Sequence, residues 1–418
     1  MLRGYLIAGV WALWFPVAFI GGLGFVPLIV LSACLCLPVM DLRPVWEARD
    51  GLFFAIAMFW VFAIASALWS PGHGAIFTGS LSSGDFSFRV PVVRVCIVAI
   101  CAFGLFFALR ELDWPSLLKA RRIMMWAVGI QGVTLLLIAV FFTQTLALFA
   151  PISDPVHETP KTLIRNANLF VTVAPILFAV AWGRLRGSGF GGAISLVALI
   201  VLAVAFNSVS AQSAVLGVIL AAMVPLFLLR FPETGFRMLF NGFAGIILAM
   251  PGLVFLIGRL VPESWVTALP PSFESRYWSW QLTIRKIAEQ PFIGHGAGAS
   301  RSWTEKYGEI PGFATSVPEP WSAIKIVPSH PHNMALEVWA ELGLVGALLA
   351  AACLILIGRA LPEPQDISLE TRMAAGGMIG ATMAMFFVAY SLWNDAFWAG
   401  FGIAVTGLVL LQKTRRGA

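Results

Sequence analysis

Where the loop sequence SHPHN runs into an apolar segment, His332 and Asn333 follow two prolines, Pro328 and Pro331, and precede Glu337 and Glu341. On a helix the i,i+4 spacing of those carboxylates puts both on one face. A neutral imidazole titrates near physiological pH, so His332 suits a general base acting on a hydroxyl. It would equally serve as a helix cap that satisfies backbone groups. Arg276 opens an amphipathic segment, and Arg89, Arg94, Arg165 and Arg259 fall near the ends of apolar runs. Arg94 lies three residues inside such a run, where a charge costs about 3 kcal/mol on insertion scales and therefore marks a candidate site. Guanidinium forks match phosphate oxygens, whereas snorkelling to the interface accounts for Arg89 and Arg259. Asn394 and Asp395 occupy a short turn that turn chemistry explains; a second reading has Asp395 orienting a base or binding an acceptor.

The stretch PFIGHGAGAS contains G-x-G-x-G, but no parallel strand precedes it, which argues against a nucleotide site. With Pro291 and Gly294 as breakers it reads as a tight turn after the amphipathic segment, His295 being at most a polar contact.

The elements that must position these residues are apolar. Of 418 residues 59% are hydrophobic and 11% charged, with mean hydropathy +0.87, against roughly 25% charged in soluble domains. Stretches of roughly 20 apolar residues mean helices, because a lone segment in lipid satisfies its own backbone hydrogen bonds. We expect an all-α polytopic membrane protein of about twelve spans, near 5–21, 23–40, 51–69, 91–109, 122–142, 166–183, 192–208, 211–229, 238–257, 333–357, 373–390 and 395–411. The least marked splits are at Gly21-Gly22, between Asn207 and Gln212, and at Trp393-Asn394-Asp395. The expected organisation is spans one to nine over 1–257, a long loop with an amphipathic helix over 258–332, and spans ten to twelve with a short tail over 333–418. The start, MLRGYLIAGVWALWF, reads as an uncleaved first span. The five cysteines all lie in apolar runs and read as small buried hydrophobes.

Basic residues are concentrated on one set of ends and connectors, including Arg3, Arg43, Arg49, Lys119, Arg121, Arg122, Arg184, Arg186, Arg230, Arg359, Arg372 and Lys413, while the opposite short connectors hold Arg89, Lys161 and Arg165. The positive-inside rule makes the first set, and both termini, cytoplasmic. The 258–332 loop then faces outward. The +6 net charge follows from this bias and does not indicate nucleic acid, since no basic run is interleaved with aromatics in a soluble domain.

Arg276 followed by PFIGHGAG, then His332-Asn333, nine residues and Gly343-x-x-Gly346, resembles the superfamily of bacterial O-antigen ligases and polymerases of O-antigen and exopolysaccharide. The resemblance implies a metal-independent, inverting glycosyltransferase of the inner membrane, working at its periplasmic face without a cofactor. Its donor would be a glycan on undecaprenyl diphosphate and its acceptor lipid A-core or a growing polysaccharide, among membrane lipids. It further implies that Arg276 holds the diphosphate and His332 acts on the acceptor hydroxyl, with Arg94, Arg165, Gln212, Asn333, Glu337 and Asp395 as candidate substrate contacts. Gln212 stands where ligases carry a second arginine, which leaves a polymerase open. A transporter is a third reading, although the polar residues gather at one outer face and not at a midplane.

Overall fold

The computed structural model describes residues 2–20, 22–36, 50–71, 77–78, 87–88, 90–110, 112–154, 158–185, 191–309 and 323–416. Arg43, Arg49, Arg89 and Arg186 lie outside them. Among the described residues the regular structure is helical apart from a two-residue antiparallel pairing of β1 (Phe77–Thr78) with β2 (Ser87–Phe88) and one isolated bridge. The helices run α1 (Leu2–Phe19), α2 (Phe25–Cys36), α3 (Gly51–Ser66), α4 (Pro91–Arg110), α5 (Trp114–Val140), α6 (Phe142–Phe149), α7 (Glu158–Leu185), α8 (Gly191–Ser208), α9 (Gln212–Arg230), α10 (Gly235–Leu260), α11 (Pro271–Glu289), α12 (Met334–Ala360), α13 (Leu369–Val388) and α14 (Asp395–Arg416). Among the described residues ten are long and apolar enough to cross a membrane, and α1 and α2 supply two shorter apolar helices. The chain is an all-α polytopic membrane protein.

The three tight turns separate helices where expected: α1 from α2, α8 from α9, and α13 from α14. The fifth and sixth apolar runs begin about eight residues before their apolar cores, at Trp114 and Glu158, because polar first turns extend both helices. The cysteines depart from the expected burial at four positions, with Cys96, Cys101 and Cys353 half-buried. Cys34 is exposed on the outside of α2, while Cys36 is buried.

Helices α9 and α13, α10 and α12, α7 and α13, and α1 and α5 are the most intimate neighbours. Apolar side chains form one large cluster around α1, α5, α7, α13 and α14, a second where α10, α11 and α12 meet, and a third between α3, α4 and the 297 loop. Leu392, in the turn between α13 and α14, packs against all three. Although Trp11 Nε1 and Asn166 Nδ2 have no protein partner among the described residues, a polar relay runs through the first cluster: Trp14 Nε1 donates to Gln131 Oε1 at 2.7 Å, and Gln131 Nε2 donates to Asn166 Oδ1 at 2.7 Å. Such pairing is what apolar surroundings demand, since an unsatisfied buried polar group costs free energy.

The amphipathic segment is α11. Two prolines start it at 270 and 271, five residues before Arg276, because proline fits a first helical turn whose N–H groups have no intrahelical partner. Its buried face carries Trp278, Ser279, Leu282, Thr283 and Ile287 against α10 and α12. Trp280 Nε1 donates to the Pro331 carbonyl at 2.9 Å and fastens the histidine loop to this helix.

A candidate active site at the histidine loop

The histidine loop ends in a helix cap and a strained residue. Asn333 Oδ1 accepts from Leu336 N at 3.0 Å as the N-cap of α12, and its Nδ2 faces Met250 Sδ at 3.7 Å. Both polar atoms of this expected substrate contact are thus engaged inside the protein, where Asn333 is 2% exposed. His332 has φ +54°, a left-handed conformation rare outside glycine. Strain of this kind persists only where the surroundings hold it and concentrates at functional sites. Here the holding contact is His332 Nδ1, which donates to the Ala389 carbonyl at 2.9 Å. A carbonyl only accepts, so the proton resides on Nδ1 and Nε2 keeps its lone pair.

Arg276 is anchored one residue away. Its Nε donates to the Val388 carbonyl at 2.9 Å and its Nη1 to the Ser272 carbonyl. The last carbonyls of α13 therefore hold both a guanidinium and an imidazole N–H, the groups that the negative end of a helix attracts. Gln212 joins through Ser272, whose hydroxyl donates to Gln212 Oε1 at 2.7 Å. It stands behind Arg276.

Two cavities adjoin the loop. One, of about 280 Å³, is lined by Arg94, Arg165, Arg301, His330, Tyr390, Trp393, Asn394 and Asp395. Arg94 Nε lies 3.2 Å from Asp395 Oδ2, a charge contact without a well-directed hydrogen bond, and the Asp395 carboxylate also accepts from Ala396 N at 3.0 Å. Three guanidinium groups against one carboxylate make this cavity electropositive. The other, of about 320 Å³, is lined by Ser272, Ser275, Ser279, Tyr307, Lys325 and His332. The two histidines divide them: the rings are 4.1 Å apart, and His332 N donates to His330 Nδ1 at 3.1 Å.

Burial pushes both imidazoles down. His332 falls to about 4, the Arg276 charge adding to desolvation and the Ala389 hydrogen bond opposing it. His330 falls to about 2 through burial, its neighbour His332 and the charges of Arg301 and Arg276. Both are neutral at physiological pH, and His332 presents a free Nε2. Tyr390, at the arginine cavity, is pushed up to about 12 by burial and stays a proton donor.

The paired carboxylates lie beneath these cavities. Glu337 Oε1 accepts from the Ser391 hydroxyl and Oε2 from Leu392 N, both at 2.6 Å. Glu341 accepts from Gly298 N at 2.6 Å, Ser300 N at 3.1 Å, the Ser300 hydroxyl at 2.7 Å and Trp393 Nε1. Glu337, expected at the substrate, thus holds the turn that carries Asp395. Glu341 holds the glycine loop that carries Arg301.

That loop and α12 interlock through glycine. At Gly343, φ +63° and ψ −163° interrupt the helix, and the chain of residues 291–296 fills the gap. His295 N donates to the Ala340 carbonyl at 2.9 Å, Gly296 N to Glu341 O at 2.8 Å, Leu344 N to Pro291 O at 2.9 Å and Val345 N to Phe292 O at 3.1 Å. The G-x-G-x-G stretch is indeed a turn, and its glycines bring two backbones together. His295 Nε2 donates to the Lys286 carbonyl at 2.8 Å, a contact within the scaffold.

The structure thus brings Arg94, Arg165 and Asp395 into one cavity, places His332 and Arg276 beside it, and uses Asn333, Glu337 and Gln212 behind it. Arg259 lies over the Phe255 ring, as a snorkelling arginine would. Sequence reasoning missed Arg301 and His330. The signals were a cation three residues after the last glycine of GHGAG and a second histidine two residues before His332, both hidden once the glycine stretch read only as a turn.

Residues 196–351 match the family model described as O-antigen ligase. A putative polysaccharide ligase of Rickettsia felis is 28% identical over 146 residues, 35% of this chain and 33% of that protein. One of Rickettsia conorii is 27% identical over 146 residues, with the same coverage, and one of Rickettsia bellii is 34% identical over 79 residues, 19% of this chain and 18% of that protein. The chain spans a third or less of the length of these curated relatives. The matched segment contains Arg276, Arg301, His330, His332, both glutamates and the Gly343 interruption, whereas Arg94, Arg165 and Asp395 come from outside it. The family match and these relatives make the 196–351 segment similar to the O-antigen ligases.

Proposed function

We propose that the chain is a membrane glycosyltransferase that moves a glycan from undecaprenyl diphosphate to a hydroxyl of lipid A-core, with inversion and without a metal, at the periplasmic face of the bacterial inner membrane. One observation carries this reading: a cavity lined by three guanidinium groups lies against a neutral histidine pair whose second member has a free ring nitrogen. Arg94, Arg165 and Arg301 would bind the diphosphate, which already activates the sugar, and would steady the negative charge as it departs. Arg276 adds positive charge from beside the histidines. The acceptor oxygen forms a bond to the anomeric carbon as the bond from that carbon to phosphate oxygen breaks, and that electron pair leaves with the diphosphate. The hydroxyl proton passes to His332 Nε2 and then to solvent. An apolar groove of about 610 Å³, lined by Phe59, Trp60, Phe103 and Trp398 among others, shares Trp393 with the arginine cavity, which suits a diphosphate on a long apolar tail.

The test uses purified protein with an undecaprenyl diphosphate-linked glycan, offered either lipid A-core or a second lipid-linked repeat. Transfer to lipid A-core supports the ligase reading. Extension on the lipid carrier makes the chain a polymerase, the reading favoured by Gln212 in place of an arginine. Absence of transfer to either, with the lipid-linked glycan still moved across vesicles, would overturn both in favour of a transporter.

Two expected results follow from the geometry. Arg301→Ala raises the donor KM by roughly ten- to a hundredfold, the effect of one charge-assisted hydrogen bond, and Arg301→Lys recovers part of it. An unchanged donor KM would remove Arg301 from the diphosphate site. Because burial holds His332 well below its ordinary value, the base stays unprotonated in mildly acidic solution. The acid limb of kcat/KM, which reports the free enzyme, is therefore expected below pH 6.5, toward about 4. A limb at 6.5 or above would exclude His332 as the base in this environment.

A further inference from the structure

The serine-lined cavity has no part assigned by the family match, and one of its groups is left without a partner. Ser272, Ser275 and Ser279 line this space from one side of α11, together with Tyr307, Lys325 and His332. The Ser272 hydroxyl donates to Gln212 Oε1 at 2.7 Å and the Ser275 hydroxyl to the Ser272 carbonyl at 3.2 Å, which leaves both as acceptors. Ser279 is 2% exposed, and its Oγ has no hydrogen-bond partner. A buried hydroxyl left unpaired costs free energy that a bound polar group would recover. Burial pushes Tyr307 up to about 12, so its phenol stays protonated; it donates to the Ser275 carbonyl at 3.4 Å and keeps its oxygen as an acceptor. Hydroxyl donors and acceptors at modest spacing beside an aromatic ring match the alternating hydroxyls of a pyranose. The arginines that would bind an anion line the other cavity.

We infer that this cavity is the acceptor subsite, taking the sugar ring whose hydroxyl is glycosylated, with Ser279 as its buried hydrogen-bonding group. The inference rests on the transferase reading for the word acceptor. The base supplies the direction. His332 belongs to this wall, its Nδ1 is held by Ala389, and Nε2 is the nitrogen left for a hydroxyl. His330 belongs to the arginine wall. A sugar in the serine cavity and a diphosphate in the arginine cavity would thus meet across the histidine pair.

The test uses the full chain in lipid nanodiscs, free of sugar detergents, and saturation-transfer NMR with methyl α-D-glucopyranoside and methyl α-D-galactopyranoside as probes. Farnesyl diphosphate serves as the anionic probe. The expected result is saturation of at least one glycoside's ring protons, reduced about fivefold by Ser279→Ala, the effect of one hydrogen bond, and abolished by Ser279→Phe, with farnesyl diphosphate binding unchanged. Ser279→Ala keeps the fold accessible if the larger side chain does not. In the transfer assay the same alanine variant raises the acceptor KM and leaves the donor KM alone. Glycoside saturation that is absent, or equal in wild type and Ser279→Ala, would overturn the subsite, as would loss of farnesyl diphosphate binding in either variant. Failure of the transferase reading shows differently: no transfer by the wild type, with glycoside saturation still sensitive to Ser279.

Discussion

His332→Asn is expected to lower turnover by roughly 10²- to 10⁴-fold, the usual contribution of a positioned general base, with donor binding retained. Asparagine is the informative replacement because it tolerates the left-handed backbone that residue 332 adopts. Alanine would add a conformational penalty to the chemical loss. The comparison separates a base from a cap. If His332 merely satisfied the Ala389 carbonyl, the asparagine amide could donate there and activity would fall only a few-fold. A second control is Asn333→Ala, which removes the cap of α12 and should cost about 1 kcal/mol of stability without a comparable loss in kcat. Equal losses from His332→Asn and Asn333→Ala would make the loop purely structural.

The largest stability loss is expected at the glycine interlock. A Cβ on Gly343 would lie 2.4 Å from the Phe292 carbonyl carbon, and one on Gly294 would lie 2.3 Å from the Glu341 carbonyl carbon. These are backbone atoms, so no side-chain rotation relieves the contact. Gly343 also has φ +63° and ψ −163°, a region essentially restricted to glycine. Gly343→Ala and Gly294→Ala should each exceed the about 4 kcal/mol that marks exceptional destabilisation, seen as loss of folded yield or a strongly lowered melting temperature. Gly242→Ala in α10, where nothing lies within 4 Å of the added methyl, should be neutral or slightly stabilising. A Gly343→Ala variant that melts with the Gly242→Ala protein would show that the loop and α12 separate easily, and that Arg301 is not held by this contact.

Much of the frame was legible in the amino-acid order because hydropathy is local. Apolar runs long enough to cross a bilayer, broken by Gly-Gly, by NSVSAQ and by WND, specify helices and turns without reference to the rest of the chain. The pairing of Glu337 with Glu341 was equally local, since i,i+4 spacing alone puts them on one face. What those carboxylates bind could not be read the same way. Their partners at Ser391, Leu392, Gly298, Ser300 and Trp393 are 41 to 55 residues distant.

By itself, then, the sequence determined an α-helical membrane protein with a polar loop, a histidine at a helix entrance and arginines near span ends. Only the tertiary structure decided which arginines share a cavity and that consecutive carbonyls of α13 hold Arg276 and His332. It also decided that His330 and His332 stand between two different cavities. The physical reason is the same in each case. A helix's apolar period reports which side it buries, but convergence of side chains from α4, α7, the glycine loop and the start of α14 depends on how those helices pack. That packing is fixed by close backbone contacts such as Gly343 against Phe292, which join residues far apart in the chain.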